Sequence, residues 1–226
     1  MSLPKLTLVT EAPSTVETDL LAVPVHEDEV NHLGHRQIME AFPGIFDVIV
    51  EEEGFVGGRD QHLLLRTHGL ARRSGTGPGP RRVLLFGLGK GSELRPEVYR
   101  ERCSVAAHNA RKLKARNITV SGLLFSRPEQ TTRWVRPMVE GLLMASGHGG
   151  LFKKVDSSLE EIRISLWPPP PANFIDAIER LMEEVTRDIE AVLLARELGN
   201  APANVMTPQS FVARGVELFE GGPISC

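Results

Sequence analysis

Two short apolar runs place the strongest constraint on how this chain folds: LLAVPV at residues 20–25 and VLLFGL at residues 83–88. Both runs are nearly continuous rather than alternating, which is typical of strands covered on both faces in mostly parallel sheets. Further strands are predicted at 5–9, 63–66, 118–125 and 162–166. Because Pro24 has no backbone N–H, its strand is expected to end, bulge or lie at a sheet edge there.

Helical segments alternate with these strands, which favours an α/β layered domain. Residues 96–115 begin with a proline and an acid, which suit a first helical turn, and end among basic residues. A second helix is predicted over 129–145, where Pro137 requires either a kink or a later start. Residues 33–42 also fit a helix, whereas residues 46–53 fit a helix or a strand equally well.

The longest predicted helix follows a proline run, WPPPP at 167–171, which favours a stiff and extended backbone. This helix has about 25 residues, with Asn173 as a suitable N-cap and Gly199 as a suitable C-cap. Its apolar side chains recur every three or four positions, at Phe174, Ile178, Leu181, Val185, Ile189 and Val192. Such a helix either holds two domains apart or packs along its own domain, and the sequence leaves both arrangements open.

A glycine-rich segment, FGLGKGSELRPE at 86–97, follows one predicted strand and precedes a helix. Backbone amides bind phosphate groups in this setting. However, Gly87, Gly89 and Gly91 are spaced G-x-G-x-G, which is neither the dinucleotide fingerprint nor a P-loop. A turn between strand and helix therefore explains these glycines better than a phosphate site does.

Residues with the chemistry for metal binding or catalysis are present but poorly arranged. HEDEVNHLGH brings His26, His32 and His35 together with three acids, but without a zinc-binding spacing a polar loop is the better interpretation. Cys103 is predicted to be a small buried residue, and the nucleophile motif G-x-S-x-G does not occur. The sequence therefore indicates no catalytic, cofactor-binding or metal-binding residue.

The charge of the chain, −3 at pH 7, gives no reason to expect a nucleic acid or an acidic membrane as partner. No apolar run approaches the roughly 20 residues that span a bilayer, and two cysteines make no disulfide framework, so we expect a cytoplasmic location. Basic residues that could form a nucleic-acid-binding stripe are Arg72, Arg73, Arg81, Arg82, Arg111, Lys112, Lys114 and Arg116. No aromatic residues alternate with them, and the arginines of 72–82 are better explained as part of a solvated loop.

A family resemblance begins at ARELGNAPANVMTP, residues 195–208, which resembles the domain junction of the leucyl (cytosol) aminopeptidases, the M17 metallopeptidases. The matching residues are Ala195, Arg196, Glu197, Leu198, Asn200, Pro202, Asn204 and Pro208. Earlier segments agree in the same order: DLLAVPV at 19–25, EEEGFVGGRDQHLLL at 51–65, RVLLFGLGK at 82–90, AAHNARKLKARN at 106–117 and EGLLMASG at 140–147. Each motif is weak alone, and their shared order makes the resemblance specific.

The resemblance implies a three-layer α/β/α domain at 1–168, with a central mixed, mostly parallel sheet similar to that of macro domains. It further implies a proline spacer and interdomain helix at 169–200 and the start of a peptidase domain at 201–226. The parent enzyme would be a homohexamer that removes N-terminal amino acids from peptides. Two divalent ions (zinc, manganese or magnesium) would be held by a C-terminal domain beyond residue 226, so these residues alone are expected to be inactive.

Two alternative functions remain at the level of sequence. The first is a macro-like module that binds ADP-ribose or another nucleotide near Gly87, Gly89 and Gly91. The second is a DNA-binding accessory domain built on the basic residues named above. The resemblance argues against the first, because aminopeptidase N-terminal domains look like macro domains without that pocket, and the net charge argues against the second.

Overall fold

The computed structural model describes residues 3–28, 45–67, 79–122, 128–146 and 159–220. Within these ranges the strands are β1 (Lys5–Val9), β2 (Leu20–His26), β3 (His62–Arg66), β4 (Arg82–Gly89), β5 (Asn117–Ser121) and β6 (Glu161–Ser165). The helices are α1 (Ile45–Glu52), α2 (Pro96–Lys112), α3 (Pro128–Ser146), α4 (Ala172–Asn200) and α5 (Pro208–Phe219), and a 3₁₀ turn spans Gly91–Glu93. All the predicted strands form, although β5 ends at Ser121 rather than at 125. The helix predicted at 33–42 lies outside the described residues.

The strands form one sheet in the order β1-β6-β5-β2-β4-β3. Strand β3 runs antiparallel to β4, and every other neighbouring pair is parallel. The two apolar runs form the adjacent strands β2 and β4, in which every residue but Arg82 is buried. The expected mixed, mostly parallel sheet is therefore confirmed, and the continuous hydrophobicity of β2 and β4 follows from their central position.

Pro24 lies inside β2, which continues to His26, so the alternative that the strand ends there is wrong, whereas on the side of β5 the strand is locally an edge at this position. Its neighbour on one side is Phe86 of β4, and β5 pairs with β2 only as far as Ala22. The pairing with β4 shifts register between Val25 and His26. Because β5 no longer pairs with β2 at position 24, the missing N–H of the proline is tolerated. The register shift between Val25 and His26 corresponds to the bulge, which was one of the three predicted alternatives.

Both faces of the sheet carry helices. Leu84, Phe86 and Ile118 point toward α2, α3 and α4, which form one large apolar cluster with this face. Val23 and Leu85 point the opposite way, and Ile49 of α1 packs against them. The described part of the chain is therefore three-layered, and the segment 46–53, which fitted either period, forms helix α1.

Helix α3 begins at Pro128 and continues through the buried Pro137, so of the two predicted alternatives the later start is wrong, and the kink stays a prediction. Proline disfavours the interior of a helix because it removes a hydrogen bond and crowds the preceding turn. Here the buried side chains Met138, Val139 and Leu142 hold the helix against the core. Packing of this apolar face therefore overrides the local preference.

The ends of α4 differ from those expected. Its N-cap is Pro171, with no side-chain cap, so Asn173 is not the N-cap. Gly199 is not the C-cap either, because the helix continues to Asn200 and ends at Ala201 with φ −68° and ψ 132°. Pro202 explains this end, since the residue before a proline is forced into an extended conformation.

Helix α4 packs along the domain that precedes it, which is the second of the two arrangements that the sequence leaves open. Its buried residues, Ile178, Met182, Val185, Ile189 and Leu193, belong to the same cluster as the sheet. Arg136 of α3 also forms ion pairs with Glu184 and Asp188 of α4. The predicted stripe is wrong at its last position, because Val192 is 40% exposed and Leu193 is buried instead.

Candidate functional site

The glycine-rich segment lies at the carboxyl ends of the central strands, where α/β proteins commonly bind ligands. A Cβ atom on Gly87 would lie 1.9 Å from the carbonyl oxygen of Gly58. Gly89 has φ +75°, a conformation that favours glycine. Position 87 therefore requires glycine because the backbone around residue 58 crosses directly over the strand.

The amides of this segment are already engaged within the protein. Gly87 N–H donates to the Gln61 carbonyl at 2.9 Å, and Gly89 N–H donates to the Gly57 carbonyl at 3.0 Å. Gly91 N–H donates to the Asp28 carboxylate at 2.9 Å, and this bond lowers the pKa of Asp28 below its usual range. A carboxylate thus lies where a phosphate would need to bind, which supports a structural turn rather than a nucleotide site.

Arg102 of α2 stabilises the same edge of the sheet by donating hydrogen bonds to two backbone carbonyl groups. Its side chain is almost fully buried, and its Nε donates to the Gly87 carbonyl at 2.9 Å. One terminal nitrogen donates to the Gln61 carbonyl at 3.2 Å. Burial lowers the pKa of this guanidinium, and the bonds to two carbonyls compensate part of its lost hydration. Sequence reasoning did not identify Arg102 or Asp28, because each acts through a partner distant in the chain.

The histidine and cysteine candidates are not brought into a reactive arrangement in the part of the chain that is described. His26 is buried at the end of β2, whereas His32 and His35 lie outside the described residues. No group of three or more histidine, cysteine, aspartate or glutamate side chains suited to a metal occurs in the described ranges. Cys103 is fully buried, as predicted, and burial raises the pKa of its thiol, which disfavours the nucleophilic thiolate.

The proposed basic stripe is interrupted by acids. Arg116 forms a bidentate pair with Glu160, with nitrogen–oxygen distances of 2.9 and 3.1 Å. Arg81 lies 3.4 Å from the Asp19 carboxylate. Arg111 donates to the Ala145 carbonyl at 2.8 Å, at the end of α3. Asp19 and Glu160 thus offset the charge of two arginines of the proposed stripe, which disfavours a contact with a phosphate backbone there. Arg72 and Arg73 lie outside the described residues.

Helix α5 carries a surface that sequence reasoning missed. None of its residues is buried, and its exposed apolar side chains include Phe211, Val212 and Val216. The signal was present in the sequence, since Thr207 and Pro208 form a good helix start before a segment of helical period. Among the residues described, no helix is long and apolar enough to cross a bilayer.

Comparison with protein families gives a match over more than half of the chain. Residues 22–154 match the model described as the cytosol aminopeptidase family, N-terminal domain. A probable cytosol aminopeptidase of Syntrophotalea carbinolica is 29% identical, over 94% of this chain and 42% of that protein. One of Roseiflexus castenholzii is 28% identical, over 95% of this chain and 40% of that protein. The chain thus spans about two fifths of the length of these curated relatives.

Solved structures agree with this match. A tomato leucine aminopeptidase mutant superposes with a TM-score of 0.79 at 25% identity, covering 98% of this chain and 43% of that one. The bottromycin maturation enzyme BotP has the same fold, with a TM-score of 0.63 at 21% identity over 90% of this chain. The alternatives of a nucleotide-binding or DNA-binding module find no support in these matches. The chain therefore belongs to the cytosol aminopeptidase family, of which it forms the N-terminal domain.

Proposed function

We propose that this domain is the non-catalytic part of a metal-dependent aminopeptidase that removes N-terminal amino acids from peptides. In this role it supports assembly of the enzyme and access of substrate to a separate catalytic domain. The observation that carries the proposal is the contrast in coverage: the match with the Syntrophotalea carbinolica relative includes 94% of this chain but 42% of that protein. The remaining length of the relatives is enough for a second domain.

The chemistry of the described residues supports a framework role. The glycine amides at the carboxyl edge are used internally, the Cys103 thiol is buried, and Arg81 and Arg116 are paired with acids. The described side chains do not fit a two-metal centre, because no group of three suitable ligands occurs among them. We therefore derive no step of peptide hydrolysis from these residues.

The domain partition follows the same proposal. Residues 1–168 form the α/β domain, 169–200 form the spacer and linking helix, and 201–226 form the beginning of the peptidase domain. The parent enzyme is a cytoplasmic homohexamer with two divalent ions, each of zinc, manganese or magnesium, in its catalytic domain. The family match supports the cytosolic aminopeptidase class, since the relatives are described as cytosol aminopeptidases, whereas the hexamer, the two ions and the domain boundaries rest on the resemblance described above.

The proposal is tested by assaying the purified chain with leucine p-nitroanilide in the presence of Mn²⁺. We expect no turnover above the rate of buffer, because the proposed catalytic ligands belong to the other domain. A positive control is a complete cytosol aminopeptidase under identical conditions. Turnover by the chain that is abolished by a chelator would overturn the non-catalytic assignment.

A further inference from the structure

A groove lies between strand β1 and helix α4, and it is called here the β1–α4 groove. Its volume is about 880 Å³, which is within the range of pockets that bind ligands. One wall is the segment 3–8, which includes most of β1, and the other wall is one side of α4 from Glu179 to Glu190. The residues that line it belong neither to the carboxyl edge of the sheet nor to helix α5. The groove is therefore a separate feature of the domain.

Strand β1 forms the edge of the sheet, so one of its sides has no neighbouring strand among the described residues. On the other side, Lys5 N–H donates to the Glu160 carbonyl at 2.8 Å, and the pairing with β6 stays in register as far as Val9. Because backbone groups of successive strand residues point to opposite sides, Leu6 and Leu8 direct their N–H and carbonyl groups to the open side. Such an edge pairs readily with another extended segment.

The inner surface of the groove is apolar. Leu3, Leu6 and Leu8 are partly buried and pack against the core on the side of the sheet that α4 covers. Met182 of α4 also lines the groove and is 5% exposed. An extended segment beside β1 would therefore bury apolar surface in addition to forming backbone hydrogen bonds.

The rim of the groove is charged and mostly acidic. Five charged residues among those described line it, and all are exposed: the acids Glu179, Glu183 and Glu190 and the bases Lys5 and Arg187. Glu179 and Glu183 are one helical turn apart on the same side of α4, and they are called here the acidic pair. The acidic pair offers two adjacent carboxylates to a ligand in the groove.

The two walls run in opposite directions along the groove. Leu3, which precedes β1, shares a second small cavity with Glu190 and with residues further along α4. The start of β1, with Lys5, therefore lies toward the Glu190 end of the groove, and Leu8 lies toward the Glu179 end. The acidic pair is thus beside the last part of β1, away from the Lys5 ammonium group.

The spacing of the acidic pair matches that of an extended peptide. Positions four apart on a helix are separated by about 6 Å along its axis. Side chains on one face of a strand belong to every second residue and are about 6.6 Å apart. Two basic residues separated by one other residue can therefore reach Glu179 and Glu183 together, while the peptide backbone follows β1.

We propose that the β1–α4 groove binds an extended peptide segment that carries two basic side chains at alternate positions. The backbone of the segment pairs with the N–H and carbonyl groups of Leu6 and Leu8, and its basic side chains pair with Glu179 and Glu183. Backbone pairing supplies affinity that is independent of sequence, and the alternate side chains supply selectivity. The inference goes beyond the proposed framework role, because it gives this domain a ligand of its own.

Fluorescence anisotropy with a labelled peptide tests binding to the present chain. The peptide is fluorescein-Thr-Lys-Val-Lys-Thr-amide, whose residue order is the same in both directions, so either direction of strand pairing is tested. The control peptide is fluorescein-Thr-Glu-Val-Glu-Thr-amide. We expect saturable binding of the lysine peptide and at least ~10-fold weaker binding of the glutamate peptide. No binding of the lysine peptide up to about 1 mM protein would overturn the inference.

Charge reversal on the rim identifies the site. Glu183→Lys should weaken binding of the lysine peptide at least ~10-fold, because it removes one of the two carboxylates and adds a repelling charge. Glu52→Lys is the matched control, since Glu52 is exposed on α1, whose side chain Ile49 packs on the opposite face of the sheet. This control makes the same change in net charge and should stay within about twofold. Equal losses in the two variants would show that the peptide responds to net charge alone and would overturn the assigned site.

Hydrogen exchange followed by ¹⁵N NMR tests the strand pairing. In the free chain the amides of Leu6 and Leu8 should exchange faster than that of Thr7, which faces β6. Saturation with the lysine peptide should slow exchange at Leu6 and Leu8 at least ~10-fold and leave Thr7 within about twofold. Binding without this protection would overturn the pairing with β1. Protection in the free chain that disappears on dilution would assign the edge to a second copy and would also overturn the inference.

Discussion

At the scale of single residues, the close approach at Gly87 makes the clearest prediction. A Cβ at this position would lie 1.9 Å from the Gly58 carbonyl oxygen and 2.6 Å from the Gly57 carbonyl carbon, both backbone atoms. Gly87→Ala must therefore separate two hydrogen-bonded segments, and we expect a loss of at least about 1–3 kcal/mol in the free energy of unfolding. Urea denaturation followed by circular dichroism measures this change.

Gly199→Ala is the matched control. Apart from the adjoining residues and the nearby backbone of the helix itself, no atom lies within 4 Å of a Cβ built at Gly199, which is inside the last turn of α4. Alanine has the higher helix propensity, so this variant should be stabilised by up to about 1 kcal/mol. Equal effects of the two substitutions would contradict the arrangement described at the carboxyl edge of the sheet.

Glu161 on β6 gives a prediction about pH. The Arg163 side chain donates to the Glu161 carboxylate and is the main cause that lowers the pKa of Glu161 below its ordinary value of 4.5. Because the folded state prefers the charged form, the stabilisation is present above pH 4.5 and is lost as the pH falls through the lowered pKa.

A ¹³C NMR titration of the carboxyl group should place the pKa of Glu161 below 4.5. Glu161→Gln should make the free energy of unfolding less dependent on pH in this acidic range. A pKa at or above the ordinary value would show that the pair with Arg163 does not persist in solution.

At the scale of elements, the register of α4 distinguishes the structure from the simplest sequence pattern. Leu193 is 8% exposed and Val192 is 40% exposed. We expect Leu193→Ala to lower the free energy of unfolding by about 2–3 kcal/mol, the lower part of the range for such truncations, because the site lies near the helix end. Val192→Ala should change it by less than about 0.5 kcal/mol. The opposite order of these two losses, measured by urea denaturation, would show that the helix presents its other side to the core.

The elements that sequence predicted well are those with an internal pattern. Strands β2 and β4 consist of apolar residues with little interruption, which makes their central position deducible. The ends of α4 were not deducible, because Asn173 and Gly199 are good capping residues while Pro171 and Pro202 determine the actual ends. The later start that Pro137 suggested for α3 was wrong for a related reason, because buried neighbours on this helix outweigh the local cost of the proline.

The candidate site was less predictable than the fold. The glycine spacing correctly excluded the two common phosphate-binding motifs. The reason that no phosphate fits the glycine-rich segment is different: the Asp28 carboxylate and the backbone around Gly58 already occupy the space beside it. Asp28 is distant in sequence from Gly91, and Gly58 is distant from Gly87. A single sequence contains no information on contacts between such distant residues, so these two contacts could not be predicted. The apolar side chains of α5 had a visible periodic signal, and their exposure depends on packing that only the structure shows.

At the scale of the whole molecule, the central claim is the proposal that this chain is a non-catalytic framework. Its catalytic partner would correspond to the part of the related aminopeptidases that lies outside the match with this chain. Among the described residues, the sheet and its two helical layers, one of which includes α4, pack into two apolar clusters. Helix α5 follows this core in the chain, and none of its residues is buried.

The most direct test is the aminopeptidase activity of the chimaera in which this chain replaces the matching part of the Syntrophotalea carbinolica relative. With Mn²⁺ present, the account predicts hydrolysis of leucine p-nitroanilide by the chimaera and none by this chain alone. The same relative without any N-terminal domain is the control for the contribution of the framework. A soluble chimaera with no activity, or chelator-sensitive activity of this chain by itself, would contradict the central claim.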